Sequence, residues 1–344
     1  MFTIKDYIKY YKNTDLSDVS WNVMDNLLCA ILVYLPLKTF KGEKNIHQLY
    51  IYAMDYKDKN DGVMEPKSYE FLDMIIHSNR YKDLKVSNFT NSVTDKSQFG
   101  AATFRIKNET VVTFKGTDTS LIGWIENFRL AYEYPTYTQT QAIEYLKDNV
   151  RLLKDNNLYI TGHSKGGNLA MVSAFEASDL IFNKIKKVYN FDGPGFKKEQ
   201  FMSDKYKRLE KKLVNIVPTG STVGILLNNK KYKAIKTDAL AFNEHYPTNW
   251  NIFGEYFIKG TLSTVSAELH ERTTLGIERL DQEKVKVALE TIFSSFEKHY
   301  SSKASMSLID LKNFYNNMKN IDPEIKKYID TIIDSMVKVS YSKK

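Results

Sequence analysis

Residues 158–170 read LYITGHSKGGNLA. An apolar run, Leu158-Tyr159-Ile160, meets Gly162-His163-Ser164-Lys165-Gly166, and a stretch of small residues follows. The run predicts a strand at 158–161 and the small residues a helix from about 165 to 178. A serine between them sits on a sharp turn, and glycines two before and two after remove the side chains that would collide there. The helix that starts at once aims backbone N–H groups at the hydroxyl. Ser164 is therefore the candidate nucleophile, and a plain glycine-rich turn is the alternative.

Neighbouring segments alternate in the same way. Residues 84–93 and 99–115 read as strands, the second as two β-rich runs around Lys107-Asn108-Glu109. Ala142, Leu146, Val150 and Leu153 recur at helical spacing within 139–155. Further strands are predicted at 187–191 and 213–217, and a hairpin over 223–237 turning at Asn228-Asn229. Residues 20–35 read as an apolar helix. The alternation predicts an α/β fold, a mostly parallel central sheet flanked by helices. From about residue 262 the pattern turns helical, with Val285, Leu289, Ile292, Phe293, Phe296 and Tyr300 on one face. Ser307 with Asp310, and Asp322-Pro323, read as further helix starts. The expected division is a domain of residues 1–261 and a helical extension of residues 262–344.

The 344 residues suffice for one large α/β domain with additions. The charge is +8, carried by lysines scattered along the chain. That reads as a solvated surface rather than a nucleic-acid footprint, with attraction to an anionic membrane surface as the other reading. The one cysteine, Cys29, can form neither an internal disulfide nor a zinc site. No metal or cofactor is expected. The run Leu27 to Leu35 stops at Pro36 and is too short to span a bilayer. The first residues lack the apolar core of a secretory signal. A cytoplasmic protein is expected, with signal-less export as the alternative.

A nucleophilic serine needs a base, an orienting acid and an oxyanion hole. Of the histidines after Ser164, His270 and His299 fall in the helical tail, whereas His245 lies in the loop Asn243-Glu244-His245-Tyr246-Pro247. His245 is the expected base. Asp192, at the end of strand 187–191, is the expected acid, with Asp238 and Glu244 as alternatives. Backbone N–H groups of Lys165, just after the serine, and of Thr117, where the run Val112-Thr113-Phe114 ends in Gly116, are the expected oxyanion donors. The Thr117 hydroxyl could assist.

Three segments carry a family resemblance: VVTFKGTDTSLIGWIENF (111–128), YITGHSKGGNLA (159–170) and VYNFDGPGF (188–196). They resemble the class 3 lipases, a branch of the α/β hydrolases. More closely, the chain is similar to a group of bacterial lipase-like proteins with a Tyr-Leu-Pro helix end (Tyr34-Leu35-Pro36), the GHSKGGNLA elbow, FDGPGF, the run Val217 to Leu227, and a late histidine before an aromatic segment (His245 to Trp250). The resemblance spans about residues 20–260. It implies an α/β-hydrolase fold, a small-molecule or lipid ester as substrate, and Ser164, His245, Thr117 and Lys165 in the roles above. Class 3 lipases usually place the acid one strand later, where this chain has Ser221-Thr222-Val223-Gly224. The acid has moved to Asp192 or been lost. The resemblance also suggests a lid over 119–138, with a permanently packed helix as the equal alternative. An acyltransferase or thioesterase using the same site, and a catalytically silent hydrolase fold used for binding, are the rival functions. Oligomeric state is not legible.

Overall fold

The computed structural model describes residues 1–56, 65–117, 120–275 and 281–300, with 313, 323, 326 and 330. An eight-stranded mixed sheet runs in chain order: β1 (Glu43–Asn45), β2 (Lys85–Val93), β3 (Gln98–Ile106), β4 (Glu109–Phe114), β5 (Asn157–His163), β6 (Ile185–Phe191), β7 (Leu213–Pro218) and β8 (Tyr232–Ile235). Pairs from β1 to β4 are antiparallel, and pairs from β4 to β8 are parallel. This is the expected α/β architecture with a mostly parallel sheet.

Both faces of the sheet are covered, and strand alternation decides which side chain goes where. Val111, Phe104 and Phe191 join the core under α1 (Ile4–Tyr11), α2 (Val23–Leu32), α3 (Ile46–Met54) and α4 (Glu65–Ile76). Val112, Ala101 and Val188 join the core under α6 (Tyr137–Asn149), α7 (Lys165–Phe175), α8 (Asp179–Lys184) and α10 (Asp204–Glu210). A helix α5 (Leu121–Arg129) follows β4, and a short helix α9 (Lys198–Phe201) precedes α10.

The apolar run at 27–35 lies within and just after α2, whose residues Met24 to Leu32 are all buried. No described helix is long and apolar enough to cross a membrane. The start of α2 is fixed by charge. Asp25 returns its carboxylate to the Asn22 amide and is fully buried against Arg80. Arg80 donates to both carboxylate oxygens, at 3.0 and 2.7 Å, and the Tyr81 and Tyr7 hydroxyls donate to one of them. The pair ties the first 25 residues to the turn before β2.

The predicted hairpin over 223–237 does not form. Residues 232–235 are β8, which pairs in parallel with β7 over Asn215↔Tyr232 to Pro218↔Ile235. Asn228 instead bridges to Phe196, after β6. The helical character beyond 262 appears as α11 (Thr264–His270) and α12 (Gln282–His299), with Val285, Leu289 and Phe293 buried. The helix start expected at Ser307 lies outside the described residues, and of the pair Asp322-Pro323 only Pro323 is described.

Removing one partner of a buried ion pair strands the other charge without water. Arg80→Leu is expected to lower unfolding free energy by about 3–5 kcal/mol. Urea denaturation measures this, and a loss under about 1 kcal/mol, within the range of an exposed pair, would contradict the structural role.

Candidate active site

At the carboxyl end of β5 the chain turns through Ser164, at φ 60° and ψ −134°, and enters α7 at Lys165. A residue with a side chain is strained in that conformation. The surroundings hold it there. The Ser164 amide donates to the Phe191 carbonyl at 2.9 Å, and the Gly167 amide donates to the Ser164 carbonyl at 2.8 Å. A Cβ on Gly162 would collide with the Gly166 backbone, and one on Gly166 with the Phe114 carbonyl. The two glycines thus let β4, β5 and α7 meet at one point.

Asp192 sits just after β6 with φ 51°, its amide donating to the Ile216 carbonyl at 2.8 Å. Its carboxylate is fully buried, and His245 Nδ1 donates to Oδ2 at 2.6 Å. The Ser221 hydroxyl and the Gly224 amide donate to Oδ1. The run Ser221 to Gly224, which lacks the late acid, therefore supplies donors to the earlier one. Both alternative acids lie elsewhere. Asp238 faces the N-terminal amine and Asn251, while Glu244 accepts the Gly220 amide at 2.7 Å. Burial pushes the Glu244 carboxyl up.

His245 ends the 3-10 turn Ala241–His245. The loop is held by Trp250, which is fully buried against Phe191 and donates to the Glu244 carbonyl at 2.7 Å. Ser164 is half-buried.

Sequence reasoning did not single out His163. Its ring lies 4.5 Å from that of His245, centroid to centroid. Its Nε2 lies 2.8 Å from the His245 carbonyl oxygen, which can only accept, so Nε2 carries the proton. Nδ1 then accepts from the Tyr34 hydroxyl at 3.1 Å, and that oxygen accepts the Gly116 amide at 3.0 Å. One chain of hydrogen bonds thus links the end of α2, the loop after β4, the Ser164 turn and the His245 loop. The Tyr34-Leu35-Pro36 motif was the only sequence signal for it.

Thr117 follows Gly116, where a Cβ would crowd Ser164. Its hydroxyl faces the Asn127 side-chain amide, at 3.0 Å from the oxygen and 2.8 Å from the nitrogen. Lys165 opens α7, and the first amides of a helix have no intrahelical partner. Its side chain is buried on Glu126 and Gln98. Among the described residues no group of three or more His, Cys, Asp or Glu could hold a metal ion.

Burial, and then the neighbouring His245, hold the His163 pKa well below its usual 6.5. Below that pH the unfolded chain takes up a proton that the native state refuses, so stability falls as pH drops. His163 alone is expected to contribute a slope approaching ~1.4 kcal/mol per pH unit below pH 6. His163→Gln should flatten the fall in urea midpoint between pH 7.5 and 5. An equally steep fall in the variant would contradict a buried neutral imidazole.

No curated protein matches this chain. Among solved structures it is similar to the crystal structure of M37 lipase, at 14% sequence identity and a TM-score of 0.39, covering 93% of this chain and 100% of that one. Residues 75–294 match the family model of the Mbeg1-like proteins, and the chain belongs to the Mbeg1-like family.

Proposed function

We propose that this protein is a serine hydrolase that cleaves carboxylic esters, lipid or other acyl esters, through an acyl-enzyme. The observation that carries the reading is the buried Asp192–His245 pair at 2.6 Å, beside a serine held in a strained turn. A carboxylate on Nδ1 fixes the tautomer, so that Nε2 is the basic nitrogen. Ser164 Oγ attacks the ester carbonyl while His245 Nε2 takes its proton. The Thr117 and Lys165 amides hold the oxyanion. The intermediate collapses, His245 returns the proton to the leaving alcohol, and Ser164 keeps the acyl group. Water, deprotonated by His245, then releases the acid. Hydrogen bonds between nucleophile and base are often long before substrate arrives and tighten in the complex.

The Ser221 and Gly224 donors to the second Asp192 oxygen hold the carboxylate in place against the imidazole. Residues 1–261 would form the hydrolase domain and 262–344 its helical extension.

Ser164→Ala should abolish turnover of short p-nitrophenyl esters. Asp192→Asn should lower kcat by about 10³–10⁴ with an unchanged melting curve, because the imidazole then takes the wrong tautomer. Near-normal turnover in Asp192→Asn would remove this residue from the mechanism. A folded wild-type protein inert towards esters, but binding them, would favour a silent scaffold.

A further inference from the structure

We propose that α5 is a clamp that sets the oxyanion hole, with Glu126 and Asn127 as positioning residues; this rests on the Ser164 reading above. The two residues assigned to donate backbone N–H groups to the oxyanion, Lys165 and Thr117, lie 48 positions apart in the chain. Each is tied by its side chain to one of two consecutive residues of α5. Lys165 is 1% exposed, and its ammonium donates to Glu126 Oε2 at 2.8 Å, Gln98 Oε1 at 2.8 Å and the Gln98 carbonyl at 2.9 Å. Those bonds use all three of its protons. The Gln98 amide donates to the same Glu126 oxygen at 3.1 Å. The Thr117 hydroxyl meets the side-chain amide of Asn127.

An oxyanion donor acts through its backbone, so the reaction does not dictate its side chain. Burying an ammonium costs several kcal/mol, and an apolar side chain would fill the space at lower cost. A buried lysine at this position is explained by what it fixes. Oxyanion donors work only when both lie about 2.7–3.1 Å from one point, and misplacement by about 1 Å costs on the order of 10² in rate. Tying both to one rigid helix fixes their spacing.

The helix itself is anchored on two sides. Ile122 and Ile125 are buried, and the Ser120 hydroxyl caps its first turn through the Gly123 amide at 3.2 Å. On the other side Phe128 packs against Phe293 of α12 at 5.8 Å between ring centroids, and the Tyr132 hydroxyl, just past α5, donates to Glu290 at 2.8 Å. Of the two readings of 119–138, a lid and a packed helix, the clamp is the second with a catalytic purpose.

The test is steady-state kinetics of the full chain with two variants. Asn127→Ala releases Thr117. The double variant Glu126→Leu/Lys165→Met removes the ion pair with apolar groups of similar size; it also strands the buried Gln98 groups that the pair satisfies, so its melting curve is measured before its kinetics. Each is expected to lower kcat about 10–100-fold, with KM within about twofold and the pH profile unmoved. Affinity for an alkyl trifluoromethyl ketone, whose serine adduct carries the oxyanion, should fall by the same factor as kcat/KM. Folded variants with wild-type kcat and inhibitor affinity would overturn the clamp. Should the double variant not fold, Asn127→Ala decides alone. Ser164→Ala serves as control: if it retains turnover, the nucleophile assignment fails and takes the clamp with it.

Discussion

The structure depends on one steric constraint, the meeting of β4, β5 and α7 at a point where no Cβ fits. Gly162 and Gly166 each present a bare backbone to the other's neighbourhood, and the Phe114 carbonyl closes the third side. Because α7 can approach so closely, Ser164 is pushed into a strained backbone conformation with positive φ. The same approach brings Gly116 against the serine. A side chain at either glycine would separate the strands from the helix and dismantle the turn.

Around that point the molecule buries Asp192, His163 and Lys165 and pairs each with partners distant in sequence. Asp192 collects His245, Ser221 and Gly224. His163 is kept neutral between Tyr34 and the His245 carbonyl. Lys165 is neutralised by Glu126. Each network joins segments far apart in the chain at the carboxyl ends of the strands. Preorganised dipoles and charges in such a setting need little rearrangement as reaction charge develops, which is why they are worth more there than in water.

Much of this was legible in the sequence because it is local. The elbow at 162–166 is dictated by the geometry of five consecutive residues, and the strand ends at Phe114 and Phe191 follow from β-rich runs that stop at glycine or aspartate. His245 was singled out by its place in a loop after the last sheet-like segment, and Asp192 by its place at a strand end. What stayed hidden depends on long separations. Nothing local says that Ser221 would serve Asp192, or that Tyr34 would meet a histidine 129 residues on. The segment 223–237 was misread because Asn228-Asn229 resembles a hairpin turn. In the fold Leu227 and Lys231 take positive φ instead, and Asn228 pairs with Phe196. The burial of the Lys165 side chain also stayed hidden, since lysine is rarely buried and its partner lies on a helix that the sequence left open as lid or cover.

The central claim is that Ser164 is an activated nucleophile. The most direct measurement is covalent labelling of the folded protein with a fluorophosphonate, followed by peptide mapping of the adduct. A single adduct on Ser164, absent in Ser164→Ala, is the predicted result. A folded protein that stays unlabelled, or one labelled to the same extent in Ser164→Ala, would contradict it.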